Sequence, residues 1–423
     1  MPIDSRVPGF YKLPVDDRRE ELAKRSGLDA ASLEAALVGG LPIEIADKMI
    51  ENVVGLYALP IGVGLNLRLD DRDYLVPMVV EEPSVVAAMS NAAKMVREGG
   101  GFHGEADPPI TTAQIQLWDV EDGAAATQAI RDHATELVDA ANKAFPDLAG
   151  FGGGAREVEP RALGDGLFVV HLHVDVRDAM GANMVNTMAE AIAPRVAELA
   201  KGTVGLRILT NLADRRTVRV RCAAPVESLR TPDLAGAEVA RRIELASRFA
   251  EADPYRAVTH NKGIMNGIDP VVVATGNDWR AVEAGAHAFA ARSGAYRPLA
   301  TWRVTGASLS GQIQLPLALG IVGGTIRVHP GAQAARKLLG IETARELALV
   351  AAATGLASNL AALRALATEG IQRGHMNLHA RSVAASAGAV GAEVETVAAA
   401  MVGAHTISLA AAQAELARLR APK

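Results

Sequence analysis

Four short stretches of this 423-residue chain gather residue types able to move protons or stabilise charge. Glu81-Glu82-Pro83-Ser84 sets two carboxylates between an apolar, strand-like run and a helix-like one. A carboxylate there ordinarily caps the helix, but one buried enough to keep its proton near pH 7 can act as an acid. Thr259-His260-Asn261-Lys262-Gly263-Ile264-Met265-Asn266-Gly267 packs a lysine, a histidine and two amides into glycine-punctuated, otherwise apolar sequence. Lys262 there is an exposed loop charge, a Schiff-base nucleophile, or a cation beside a developing oxyanion. Gly276-Asn277-Asp278-Trp279-Arg280 follows, a helix start whose carboxylate can pair with Lys262. His375 and His379, four apart on one helix face, come after Gly370 and Gly374. They lack the glutamate of a His-Glu-x-x-His zinc pair, so no metal is expected. A histidine beyond a glycine hinge can instead be a proton donor carried on a moving flap.

A fifth stretch, Asp178-Ala179-Met180-Gly181-Ala182-Asn183, follows an apolar strand and opens a helix. Free N–H groups and the positive end of the helix dipole would face an anion there, with Gly181 allowing close approach. Asp178 would bond a ribose hydroxyl or cap the helix, and an ordinary capped helix start remains the alternative. Gly99-x-Gly101-x-x-Gly104 fits a dinucleotide fingerprint only on paper, because it follows a helix and runs into Pro108-Pro109; it reads as a loop.

These stretches need elements to position them. Helices are expected over residues 16–55, the second running through Ile43–Val54. Leu65–Val80 reads as a strand hairpin around Asp70-Asp71, and Val85–Arg97 as a helix. From Pro108-Pro109 to about residue 214 the order is strand (Thr112–Val120), helix (Gly123–Phe145), strands (Arg156–Arg161 and Leu167–Val176), helix (Asn183–Lys201) and strand (Val204–Leu209). That βαββαβ order is the split arrangement of ferredoxin-like domains. Strand Thr217–Cys222 and helices Ala237–Ala252, Trp279–Arg292 and Thr343–Thr368 follow, then a glycine-hinged C-terminal unit.

Composition narrows the function. The formal net charge is −5 with no basic block, which argues against nucleic acid. Aromatic residues are 4% of the chain, so Ala, Val, Leu and Ile on close-packed helices must form the core. Cys222 is the sole cysteine, excluding an intramolecular disulfide and any multi-cysteine metal site. No signal-peptide layout or run of about 18 apolar residues stands out, and the cytosol is the expected location.

In content, order and spacing, the segments Glu51–Gly55, Glu81–Ala88, Asp175–Asn183, His260–Gly267, Gly276–Arg280 and Gly370–His375 together resemble class II (bacterial-type) 3-hydroxy-3-methylglutaryl-CoA (HMG-CoA) reductases. The resemblance spans nearly the whole chain. It implies an α+β fold with a large helix-rich substrate domain (1–107 plus 215–370). Into it is inserted a ferredoxin-like, non-Rossmann NAD(P)-binding domain (108–214), and a small C-terminal helical flap follows (371–423). It implies interconversion of HMG-CoA with mevalonate and coenzyme A by two hydride transfers through hemithioacetal and mevaldehyde. The catalytic set it carries over is Glu82, Lys262, Asp278 and His375. Ser84, Arg256 and Asn266 become substrate contacts; Asp178, Met180, Gly181, Ala182, Asn183 and Asn211 become cofactor contacts. The position that favours NAD in some members aligns with Phe145, between Lys143 and Asp147. An acidic Asp147 would repel a 2′-phosphate, so NADH is expected over NADPH. The family further implies a homodimer with shared active sites, to which Glu51–Gly55 contributes. Three rival expectations stand beside this: oxidation of mevalonate as the working direction, an idle CoA-binding protein on the same fold, and an aldolase-like Schiff-base lysine.

Overall fold

The computed structural model describes residues 3–368 and 380–421. A tight hairpin opens the larger sheet: β1 (Ile61–Leu69) and β2 (Arg72–Val79) pair antiparallel around Asp70 and Asp71. Both turn residues have positive φ, 47° and 63°, as a two-residue type I′ turn requires, and Asp tolerates that region better than most side chains. β3 (Phe102–Ala106) joins β1, and the chain then leaves for a second sheet of β4 (Ile110–Trp118), β5 (Gly154–Gly164), β6 (Leu167–Asp175) and β7 (Thr203–Leu209). It returns as β8 (Thr217–Pro225), β9 (Ala300–Thr305) and β10 (Ser308–Pro316). The larger sheet runs β2-β1-β3-β8-β10-β9 and the smaller β5-β6-β4-β7, the latter wholly antiparallel.

Each sheet has its own core. In the smaller, the alternation of β4 and β6 sends Ala113, Ile115, Leu117, Val170, Leu172 and Val174 toward three helices, Gly123–Asp132, Ala134–Ala144 and Ala182–Ala200. Thr112, Gln114, His171 and His173 fall on the opposite face. In the larger, the core is organised around the 24-residue helix Ala344–Ala367, apolar on nearly every side and therefore buried. That helix is long and apolar enough to cross a membrane, but 72% of its most apolar window is buried within the protein, which marks it as a core helix. Trp302, fully buried on β9, donates from Nε1 to Asn359 Oδ1 of this helix at 2.8 Å. Cys222 on β8 is buried in the same core. A third, separate apolar cluster unites residues 380–389 with the helices Ala392–Gly403 and Leu409–Arg420.

One crossing sets the position of the site. The helix Pro254–Ala274 lies across Ala344–Ala367 at Gly267 and Gly355. A Cβ on Gly267 would stand 2.6 Å from the Thr354 carbonyl oxygen and 2.9 Å from Gly355 Cα. Ser358 Oγ donates to the Gly263 carbonyl at 3.0 Å, one turn away on the same seam. These small residues let the two backbones meet.

Several sequence expectations need correction. Only Ile43–Ala46 is helical in the stretch read as Ile43–Val54; residues 51–60 lack regular structure and expose Val54 and Tyr57. The segment 259–267, open to reading as a loop, is the middle of a 21-residue helix. Strands β3, β9 and β10 were not foreseen, and the 123–145 helix is broken at His133.

Gly267→Ala should overpack the helix crossing and lower stability by roughly 1–3 kcal/mol. A reduced urea midpoint with an unchanged slope is the expected measurement.

Candidate active site

Helical periodicity sorts the 259–267 segment into two jobs. Asp253 caps Pro254–Ala274 by accepting from the N–H groups of Tyr255 and Arg256, and Pro254 occupies the first turn. His260, Asn261, Ile264 and Met265 then face inward. His260 Nε2 donates to the Ala300 carbonyl at 3.1 Å, and burial, ahead of the charge on Arg256, drives the ring pKa down to about 4, so it is neutral at pH 7. Asn261 brackets the 297–299 turn, donating to the Arg297 carbonyl and accepting from Leu299 N. Lys262 and Asn266, four residues apart, project from the other side.

Both reach one atom. Lys262 Nζ donates to Glu82 Oε2 at 2.9 Å, and Asn266 Nδ2 donates to the same oxygen at 3.2 Å. Glu82 sits in the turn between β2 and the helix Val85–Glu98. The Lys262 side chain is 61% exposed, so this pair contributes at most about 1 kcal/mol to folding. Its geometry leaves ammonium, amide and carboxyl accessible together.

Ser84 is the helix N-cap, yet its backbone is left-handed (φ 75°, ψ −20°) and its hydroxyl makes no capping bond. Such a conformation in a non-glycine residue costs of order 1–3 kcal/mol and concentrates at functional sites. Among the described residues the Ser84 hydroxyl, two positions along from Glu82, makes no hydrogen bond to the helix it precedes. Arg256 lies on the Lys262 helix with no ion-pair partner among the described residues, and burial lowers its pKa from the usual arginine value. A half-buried, unpaired guanidinium suits a carboxylate ligand.

Asp278 caps the helix Trp279–Ala291, accepting from Arg280 N and Ala281 N through Oδ1. The pairing of Asp278 with Lys262 expected from sequence is not formed: among the described residues Lys262 pairs with Glu82, and Asp278 with Arg280 at 3.5 Å. Among the described residues all of these Asp278 contacts are made by Oδ1 and none by Oδ2. His375, with His379 and both hinge glycines, lies outside the described residues.

The Asp178–Asn183 loop opens the 19-residue helix Ala182–Ala200 as the sequence suggests. Gly181 has φ 96°, and a Cβ there would strike Val176 Cγ1 at 2.4 Å, so only glycine fits. No side chain caps this helix, which leaves its first-turn N–H groups open to an anion. Asp178 does not serve as that cap. Its Oδ1 instead accepts from Ala344 N at 2.8 Å, tying the loop to the central helix. Asn183 is exposed, Ala182 and Met180 partly so, and the Met180 carbonyl accepts from the Thr111 hydroxyl.

This loop meets the Asp278 turn through Gly320. Asn277 donates to the Gly320 carbonyl at 3.1 Å and accepts from Gly320 N at 2.8 Å. Gly320 in turn lies against Met180, where a Cβ would stand 2.6 Å from Met180 N. The exposed Asn211 packs its carbonyl against Gly285 on the helix that Asp278 caps. Sequence reading missed Asn277, Gly320 and Arg216. Arg216 is buried and donates to the carbonyls of Ala179 and Leu319, with its pKa drawn down by burial to about 10. A cation immediately after the Asp214-Arg215 pair carried no local signal of burial.

Near the Asp175 end of β6, where Gly153 lies against Leu148 and the Asp175 carbonyl, Lys143 and Asp147 are both exposed, while Phe145 packs partly into the core of the smaller unit. The sequence reading expected no metal; the structure does bring together Glu159, His171 and His173, with ligand atoms within 4.8 Å of one another. Glu159 is occupied by Arg215 at 2.8 Å and by His173, and His171 Nε2 faces Arg161 and Gln114. Two guanidinium groups on the trio oppose a divalent cation.

With this geometry in hand, three comparisons bear on it. The sequence model of the family described as hydroxymethylglutaryl-coenzyme A reductase matches residues 14–380. The 3-hydroxy-3-methylglutaryl-coenzyme A reductase of Archaeoglobus fulgidus is 48% identical over 99% of this chain and 95% of its own length. A probable reductase of the same name from Borreliella burgdorferi is 36% identical over 79% of this chain and 77% of its own. Among solved structures, the Streptococcus pneumoniae 3-hydroxy-3-methylglutaryl-coenzyme A reductase superposes with a TM-score of 0.83 at 41% identity, covering 98% of this chain and 99% of that one. A class II structure from the same organism, described as bound to NADPH in open conformations, gives 0.82 at 41% identity, covering 85% and 99%.

Ser84→Gly should remove the backbone strain and raise stability by about 1 kcal/mol. Chemical denaturation reads that gain.

Proposed function

This chain belongs to the hydroxymethylglutaryl-coenzyme A reductase family and interconverts HMG-CoA and mevalonate; from that premise we propose that it works by two successive hydride transfers, with Lys262 as the cation beside the developing oxyanion. The observation that carries this reading is the convergence of Lys262 and Asn266 on Glu82 Oε2 in an accessible cluster.

The nicotinamide, when bound, supplies the hydride. In the first transfer the thioester carbonyl becomes a hemithioacetal, and Lys262 stabilises the charge growing on its oxygen, a preorganised-cation role. Lys262 already bonds Glu82 directly, and Asp278, which pairs with Arg280 in this structure, is the carboxylate that would turn to Lys262 when substrate is bound. Collapse of the hemithioacetal breaks the C–S bond and gives mevaldehyde; His375 protonates the departing thiolate and prevents its return. Glu82 donates the proton when the aldehyde is reduced. Arg256 and Ser84 grip the free carboxylate and acyl chain, with Asn266 beside them.

The smaller unit is proposed as the inserted ferredoxin-like cofactor domain, spanning 108–214. The support is its βαββαβ element order, its strand order, and the glycine cradle at Gly181 beside uncapped helix N–H groups. Met180, Gly181, Ala182, Asn183 and Asn211 would hold the dinucleotide, with Asp178 anchoring their loop. NADH is the proposed cofactor: the exposed Asp147 opposes a 2′-phosphate, while Lys143 is the local feature that would favour one. The chain is further proposed to act as a homodimer, since residues 51–60 present Val54, Leu56 and Tyr57 to solvent. Residues 371–423 are proposed as the flap.

Absorbance at the nicotinamide band with mevalonate, CoA and either dinucleotide tests the assignment. Turnover with NAD alone supports the Asp147 reading, and preference for the phosphorylated form overturns it. Lys262→Ala should lose thioester reduction by roughly 10²–10³-fold or more; near-normal rates would remove Lys262 from its role. His375→Ala should slow thioester reduction while sparing reduction of free mevaldehyde, and equal losses in the two assays would sink the flap-acid step.

A further inference from the structure

Two carboxyl groups face each other across the seam between the helices Pro254–Ala274 and Trp279–Ala291. Asp269 lies on the stripe of Lys262 and Asn266, seven and three residues further along. Its carboxyl group hydrogen-bonds Glu283 of the neighbouring helix, and its Oδ1 is buried with no hydrogen-bond partner among the described residues. Two ionised carboxylates cannot share a hydrogen bond, so a proton sits between them.

The surrounding bonds say where. His287 Nε2 contacts Glu283 Oε2 at 2.6 Å, and His287 Nδ1 meets the Tyr296 hydroxyl at 2.6 Å. Asn261 Nδ2 donates to that hydroxyl at 3.1 Å, and with the Tyr296 proton directed onward to Nδ1, Nε2–H donates to Glu283. Glu283 is therefore the acceptor. An ionised Asp269 would leave a charged, buried oxygen without a donor, which is costly. Asp269 is the neutral acid. The ring of bonds closes on the Lys262 helix at both ends, through Asp269 and through Asn261, the residue preceding Lys262.

We propose that Asp269 and Glu283 are a positioning pair: one shared proton joins the helix bearing Lys262 to the helix capped by Asp278 and sets the relation of those two groups. The consequence for the reaction rests on the roles given above to Lys262 and Asp278; the proton sharing does not. Burial, and then Glu283, push the Asp269 pKa up to about 8. The charged group acting on Asp269 is Glu283; His287 and Tyr296 stand behind it. Loss of the proton would set two negative charges against each other and open the seam.

Asp269→Asn keeps a neutral donor opposite Glu283 and cannot ionise. The folded-state pKa of Asp269 is raised, so its stabilising effect is complete below the unfolded value, near 3.8, and is lost as pH rises through about 8. The urea-midpoint advantage of the variant over wild type should therefore grow between pH 5 and 8 and level off above. A gap that stays flat across pH overturns the shared proton. Thioester reduction at pH 9, with both proteins folded and each rate taken relative to its own value at pH 7, should fall about tenfold in wild type and not in the variant. Parallel falls overturn the positioning role. Glu283→Gln, which removes the other charge, should show the same two shifts. If wild type reduces no thioester at all, the assigned reaction fails while the stability arm still decides the pair.

Discussion

The Pro254–Ala274 helix carries Lys262 and Asn266 to Glu82 because its opposite face lies against Ala344–Ala367 with almost nothing between the backbones. Gly267 and Gly355 occupy the contact, and the Ser358 hydroxyl fills the next step by bonding the Gly263 carbonyl. Close-packed interiors transmit small displacements, so the distance between these backbones fixes where the open face points. The central helix in turn is held by Trp302 through Asn359 and by the large sheet. The face that carries Lys262 and Asn266 thus depends on an absence of side chains on the other.

A second constraint ties the smaller unit to that face. Asn277 satisfies both polar groups of the Gly320 peptide, Gly320 lies against Met180, and Arg216 reaches two carbonyls from within the interior. Arg216 is deeply buried, and its compensation comes from carbonyl oxygens and from the fields of Asp178 and Asp175. Removing such a group's partners is expensive, so the residues around the Gly181 turn have little freedom to move independently of the Asp278 turn.

Much of this was legible locally. The hairpin at Asp70-Asp71, the alternating strands of the smaller sheet and the glycine turn at 181 each follow from short-range sterics, and the structure has them where the sequence suggested. The union of Glu82 with Lys262 is between residues 180 apart, and only the residue types hinted at it. The two glycines near Lys262 pointed toward a loop; burial of His260, Asn261, Ile264 and Met265 along one face overrode that local preference. The apolar spacing of Ile43–Val54 suggested a helix, yet Ile43, Ile50 and Val54 stay exposed and only Ala46 is buried. The left-handed backbone of Ser84, the burial of Arg216 and the diversion of Asp178 to Ala344 are set by tertiary neighbours, and nothing within a few residues announces them.

The burial of Cys222 has a bearing on the product side of the reaction. Coenzyme A leaves as a free thiol, and thiols exchange with any accessible thiolate or disulfide they meet. The chain has one cysteine, buried in the large core on β8 directly across from Gly311 of β10, with its ionisation suppressed by burial. A protein so built presents no thiol to its own leaving group. It can release that thiol repeatedly, in oxidising or reducing surroundings, without forming an adduct with it.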